Sequence, residues 1–201
     1  CFNNNYKISP REFNIWMRLL NNVDGSILWL LKSNIWAEAN LRKEAELRGI
    51  DPGRLVFAEK LPNAQHLARH KHADLFIDTF NYGAHTTACD ALWAGLPVVT
   101  KQGKQFAARV AASLLTAAGL TELITETEQD YERVIFELAN KPERLASIKA
   151  KLANNRLKAA IFDTKRYTRN LERGLRQVYD LYVDNKPPED IWVSDVARQS
   201  G

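Results

Sequence analysis

Strand-length apolar runs alternate with helix-length amphipathic segments along most of this chain, and that alternation leaves few folds open. "SILWLLK" (26–32), "RLVFAE" (54–59), "DLFID" (74–78) and "PVVT" (97–100) have the length and β-branched or aromatic content of strands. The first is apolar throughout, as a strand covered on both faces should be. Helical patterns fill the gaps, at about 37–48, from Asn63 to about Lys71, at about 86–94 and over 105–118, and Gly49, Gly95 and Gly119 follow as stops. Strands joined through helices pair in parallel with right-handed crossovers. The expected class is therefore α/β, a Rossmann-like doubly wound parallel sheet with a helical C-terminal extension.

The ends fit this plan. "CF" reads as the end of a strand, cut from something longer, and "NNNYK" as a polar loop. "SPRE" is a strong helix start: Ser9 caps, Pro10 takes the first helical position and Glu12 completes a capping box. Ile8 and Phe13 are spaced as a hydrophobic staple, and Phe13, Trp16, Leu19 and Leu20 form the stripe to be buried. "LTELI" (120–124) offers a short last strand, after which helices are expected near 128–139, 142–159 and 165–184. "NKPPED" then breaks the chain. The expected organisation is a Rossmann-like lobe over 1–140, C-terminal helices packing on it over 141–186, and an irregular tail over 187–201.

Composition narrows the function classes. A net charge of +4 with both signs mixed is mild, and the basic residues gathered in the last third read as a solvated helical face, so nucleic acid is not an expected partner. Two cysteines imply no disulfide framework and fit a reducing, cytoplasmic setting. No apolar run approaches the roughly 20 residues that a membrane helix needs. GxGxxG, Walker and nucleophile-elbow patterns do not occur, and His66, His70, His72 and His85 lack a metal-binding spacing. Neither a metal nor a tightly held cofactor is expected.

Parallel α/β sheets bind ligands at the carboxyl ends of their strands, so the loops there carry the chemistry. In "FNNNYK" (2–7), Asn amides and the Lys7 ammonium can meet an anion. The segment after Leu31 can form a pocket wall. In "EKLPNAQHLARH" (59–70), His66 and Arg69 are three apart on one helical face, offering a stacking surface and carbonyl-directed donors suited to a planar polar base such as uracil. In "GAHTTACD" (83–90), Gly83 permits a tight turn, and His85, Thr86 and Thr87 sit where a helix presents unpaired N–H groups. That is a diphosphate cradle. Thr87 and Asp90 can also be read as a plain capping pair, or Asp90 as an acceptor for ribose hydroxyls.

These residues together resemble glycosyltransferase family 41, the O-GlcNAc transferase-like proteins, in the C-terminal half of their catalytic region. The similarity runs from about Phe2 to Asp184 and is carried by "FNNNYKISP", "LWLLK", "HLARHKHADLFIDTFNYGAHTTACDALWAGLPVVT", "ARVAASLL" and "FDTKRYTRNLER". The resemblance implies a GT-B enzyme of two Rossmann-like lobes, of which this is the lobe that binds the nucleotide sugar, UDP-GlcNAc or a relative. By motif, Asn4 and Lys7 would contact the diphosphate, with Asn4 standing where the family has Gln. Lys7 would stabilise the departing UDP and is the one catalytic residue expected here. Leu31 would line the nucleoside pocket, Leu61 would offer backbone groups to uracil, His66 would pack on the base and Arg69 would contact it. His85, Thr86 and Thr87 would hold the diphosphate and Asp90 the ribose. Asn63 stands where the family often has a ribose-contacting Lys.

The implied reaction inverts the anomeric carbon as a protein Ser or Thr hydroxyl attacks, with no metal. Expected partners are a protein acceptor, an N-terminal catalytic lobe and tetratricopeptide repeats of the same polypeptide. Acceptor-side acid/base groups belong to that other lobe, so this chain alone is expected to bind nucleotide without catalysing transfer. The alternatives are a GDP-sugar-using O-fucosyltransferase-like enzyme, a non-catalytic nucleotide-binding or interaction module of the same ancestry, and a sugar-nucleotide epimerase. The "HTT" His and Arg69 favour the uridine pattern.

Overall fold

The computed structural model describes residues 1–194. Its order is α1 (Pro10–Asn22), β1 (Leu28–Leu31), α2 (Ile35–Glu46), β2 (Leu55–Ala58), α3 (Asn63–Arg69), β3 (Phe76–Ile77), α4 (Thr86–Trp93), β4 (Val98–Lys101), α5 (Val110–Ala118), β5 (Ile124–Thr125), α6 (Glu128–Asn140), α7 (Pro142–Arg156) and α8 (Thr164–Val183). All strand pairs are parallel, so the α/β class holds. The expected tail over 187–201 lies partly outside the described residues; 187–194 is irregular.

The strands form two hydrogen-bonded sets, β1–β2 and β3–β4–β5, where the sequence suggests one continuous sheet. Leu28 aligns with Leu55, Phe76 with Val98 and Thr100 with Ile124. Residues 1–3 bridge the sets. The Cys1 backbone nitrogen donates to Trp29 O at 2.8 Å beside β1, and the Asn3 amide donates to Asp78 Oδ1 at 2.9 Å just beyond β3. The bridge is made by one backbone bond and a side chain, which is too little for a strand ladder.

Helix starts follow local chemistry. At α1 the Glu12 carboxylate accepts from the Ser9 backbone N–H at 2.6 Å and from the Ser9 hydroxyl. Asn34 caps α2 by accepting from Ala37 N at 2.8 Å, so that helix begins earlier than its apolar pattern suggests. Asn63 is the first residue of α3 and not its cap, a place taken by Pro62. The first turn of the expected 105–118 helix is a separate 3-10 turn at Phe106–Ala108. Gly95 and Gly119 end α4 and α5 at φ 87° and 74°, conformations that a side chain would strain.

The core centres on α1, β1, β3, β4 and α6. Besides the expected stripe, α1 buries Ile15 and Met17, because it is covered on more than one side. Each fully buried aliphatic or aromatic side chain there contributes about 1.5–3 kcal/mol. Trp16 Nε1 donates to Tyr131 Oη at 3.1 Å, and Tyr131 Oη donates to Asp78 O at 2.8 Å, tying α1 and α6 to the end of β3. Arg18 pairs with Glu132 at 2.6 Å on the surface above.

One compact unit runs from Cys1 to Arg156 and a second from Leu157 onward. The first includes α7, which buries Ile148 and Leu152 and ties back through Asn155 Nδ2 to Ala118 O and Arg156 Nη1 to Trp93 O, both at 2.9 Å. The second holds the 20-residue α8, started by Asp163 accepting from Arg166 N at 3.0 Å.

Candidate nucleotide-sugar site

The strand ends and the N-terminus of α4 build a cradle from residues far apart in sequence. His85 takes the N-cap position, and its carbonyl accepts from Ala88 N and Cys89 N, both at 3.1 Å. The N–H groups of Thr86 and Thr87 stand ahead of those first bonds, where a helix carries partial positive charge. Thr86 is exposed. The Thr87 hydroxyl donates to Asn3 Oδ1 at 2.8 Å, so Thr87 and Asp90 do not form the capping pair. His85 places Nε2 3.2 Å from Ala107 O, a carbonyl that can only accept. Its Nδ1 is thus the nitrogen left for a ligand, and it donates only when the ring is cationic.

Lys7 reaches the same place from the 3-10 turn Asn5–Lys7. Its Nζ donates to Gly83 O at 3.0 Å and lies 3.7 Å from the centre of the Tyr82 ring. Burial pushes its pKa down, and the charge of Asp78 opposes that shift. Asn4 is exposed, while Asn3 is turned inward.

Below the cradle lies Asp78, completely buried. Its Oδ1 accepts from Asn3 Nδ2, Thr79 N and Ala84 N at 2.9, 2.8 and 2.7 Å, and its Oδ2 accepts from Thr100 Oγ1 at 2.7 Å. Burial pushes the carboxyl pKa up, and these donors oppose it. Gly83 is needed here, because a Cβ would sit 2.9 Å from Asp78 Oδ2. Sequence reasoning passed over Asn3, Asp78 and Thr100. The one available signal was a carboxylate ending an apolar strand directly before a glycine loop.

A second cluster forms a ledge on α3. Arg69 is 8% exposed and turned inward. Its Nη1 donates to Glu59 O and its Nη2 to His66 Nδ1, both at 2.6 Å, and its guanidinium lies over the Phe2 ring. Arginine has no acceptor, so His66 Nδ1 accepts and the neutral ring carries its proton on Nε2. That nitrogen faces Asp90 Oδ2 at 3.9 Å. Burial, then the charges of Arg69 and His70, push the His66 pKa down, so its imidazole is neutral at neutral pH. Asn63 and Leu61 are exposed at the near end of α3, and Leu31 is half-buried at the end of β1. The structure therefore brings His66, Arg69 and Asp90 together, and separately Lys7, His85, Thr86 and Thr87. Helix α4 joins the two groups, since Asp90 lies one turn beyond Thr86 and Thr87.

A cavity of about 490 Å³ lies elsewhere, lined by Trp16, Leu20, Leu28, Phe76 and Leu138 among others. Its lining is mostly apolar and includes none of the cradle residues. Among the described residues no cluster of three or more His, Cys, Asp or Glu is placed to hold a metal ion, and no helix is long and apolar enough to cross a membrane.

The profile of glycosyl transferase family 41 matches residues 1–171. The chain belongs to this family. It is 37% identical over 190 residues to a UDP-N-acetylglucosamine–peptide N-acetylglucosaminyltransferase of Caenorhabditis elegans, covering 94% of this chain and 16% of that one. A probable enzyme of the same name from Arabidopsis thaliana is 34% identical, covering 94% of this chain and 19% of its own length. An O-GlcNAc transferase mutant from Thermobaculum terrenum superposes with a TM-score of 0.86 at 29% identity, over 92% of this chain and 36% of that one. This family 41 chain thus spans less than a quarter of these two curated relatives and about a third of that solved chain.

Proposed function

We propose that this family 41 chain is the donor-binding lobe of an inverting glycosyltransferase that moves a sugar from UDP-GlcNAc or a close relative to a protein Ser or Thr. The observation that carries the reading is the convergence of the Lys7 ammonium with the exposed end of α4 at the carboxyl ends of the strands. The names of the relatives supply the donor and acceptor class. In this reading the diphosphate lies against the N–H groups of Thr86 and Thr87, Asn4 and His85 flank it, and the nucleoside rests on the ledge. His66 packs on the base, Arg69 holds His66, Asp90 accepts from the ribose, and Leu31, Leu61 and Asn63 border the nucleoside. As the acceptor hydroxyl attacks the anomeric carbon, charge develops on the departing UDP, and Lys7 with the helix end stabilises it. No metal has a part. The acceptor is bound by other parts of a longer polypeptide. Two free cysteines fit a reducing compartment such as the cytoplasm.

Calorimetric titration with UDP and GDP tests this. UDP should bind more tightly than GDP, and Lys7→Met should weaken UDP by about tenfold or more. No UDP binding, or UDP binding unchanged in both Lys7→Met and His85→Ala, overturns it. A preference for GDP would instead support the O-fucosyltransferase-like alternative.

A further inference from the structure

Asp78 is sealed from solvent, and yet through intermediaries it links to both Lys7 and Thr87 of the cradle. Through Ala84 N it fixes the far end of the loop over 79–84, and through Thr79 N the near end. Thr79 Oγ1 donates to Tyr82 O at 2.7 Å, which folds the middle of that loop. The loop in turn presents Gly83 O, the carbonyl that receives Lys7. Through Asn3 Nδ2 the carboxylate fixes the amide whose Oδ1 receives the Thr87 hydroxyl. Through Thr100 it is anchored to β4. All the groups meeting its two oxygens can donate, which fits the ionised form.

A buried negative charge directly behind an anion site is an odd choice for shape alone, because it opposes the ligand. It is well chosen if its task is to hold the loop that aims the lysine. We propose that Asp78 is the positioning residue of the diphosphate cradle, setting Lys7 through the loop that presents Gly83 O and setting Thr87 through Asn3. This rests on the nucleotide-sugar reading above. The ionisable groups facing the pair are the Tyr131 hydroxyl beside Asp78, with Tyr82 and His85 around Lys7. Lys7 is the cation that reaches the loop, through Gly83 O.

The test compares UDP with uridine, which lacks the diphosphate, on the whole chain and on two variants. Asp78→Asn keeps the shape and removes the charge. Asn3→Leu keeps the carboxylate, cuts the link to Thr87 together with the Asn3 bonds to Asp78 and Thr79, and carries the test if Asp78→Asn fails to fold. Both should lose about tenfold in UDP affinity with uridine affinity unchanged. Folded variants with an unchanged ratio of UDP to uridine affinity overturn the proposal and leave the nucleotide reading standing. Equal losses for both ligands make Asp78 merely structural and overturn it too. If the unaltered chain binds no UDP, the nucleotide reading falls and takes the proposal with it.

Discussion

Asp78 and Asp90 flank the same cradle under opposite conditions. Asp78 is fully enclosed and meets four hydrogen-bond donors. Asp90 is about a third exposed in its side chain, and the ring of His66 lies 3.9 Å away. The first belongs to a floor made of Asn3, Asp78, Thr100 and Tyr131, in which polar groups satisfy one another. The second belongs to a ledge with His66, Asn63 and Leu61, where polar atoms still face outward. A carboxylate inside the floor sets geometry, and one on the ledge can still exchange water for a ligand. The difference implies that floor substitutions act first on folding, while ledge substitutions act first on binding.

The strongest attempt to break that contrast is Asp78→Ala. It strands the Thr79 and Ala84 N–H groups, one N–H of the Asn3 amide and the Thr100 hydroxyl in a dry interior. Each buried group left unpaired costs about 1–3 kcal/mol, so with partial relaxation a loss of about 4 kcal/mol is expected in urea unfolding. A loss below about 1 kcal/mol would show that water reaches the floor.

The floor is also where the sequence was least legible, for a physical reason. Alternating apolar runs, the Ser9–Glu12 pair and the glycine stops are local signals, and the elements they mark are present. The ledge was half legible, because His66 and Arg69 lie within one helical turn of each other. Spacing could not show that Arg69 turns inward to Glu59 O, since that depends on the strand beneath it. The pairing of Asn3 with Asp78 joins residues 75 apart. Nothing near Asn3 distinguishes it from Asn4 or Asn5 until the topology sets the end of β3 beside it. His85 is a similar case, because its partner Ala107 O comes from the turn before α5.

Arg69→Met sits between the two regimes. It removes the bond to Glu59 O but also a guanidinium whose Nε is buried without a partner, so the net loss of stability should be only about 1 kcal/mol. His66 then loses the donor that fixes its tautomer and tilt. UDP affinity should fall about fivefold by calorimetry, more than the stability change alone suggests. Unchanged affinity would mean that His66 keeps its orientation from Phe2 and His70, whose rings lie 5.6 and 4.8 Å from it.

Asn63→Lys is the gentlest test and the one in which the ledge should behave least like the floor. Asn63 is exposed, opens α3 and provides no cap, so little structure depends on it. A positive charge at a helix start is disfavoured by about 0.3–1 kcal/mol, so stability should slip slightly. If the diphosphate lies against α4, the added ammonium attracts it, and UDP affinity should rise about threefold at low salt. Mobile ions screen exposed charges beyond about 10 Å at 0.1 M salt, so the gain should fade as salt is raised, while the Lys7→Met loss should persist because Lys7 is partly enclosed. A gain that resists salt would place the new ammonium in direct contact with the ligand and make α3 as much a part of the cradle as α4. No gain at any salt would separate the nucleotide from this end of the ledge.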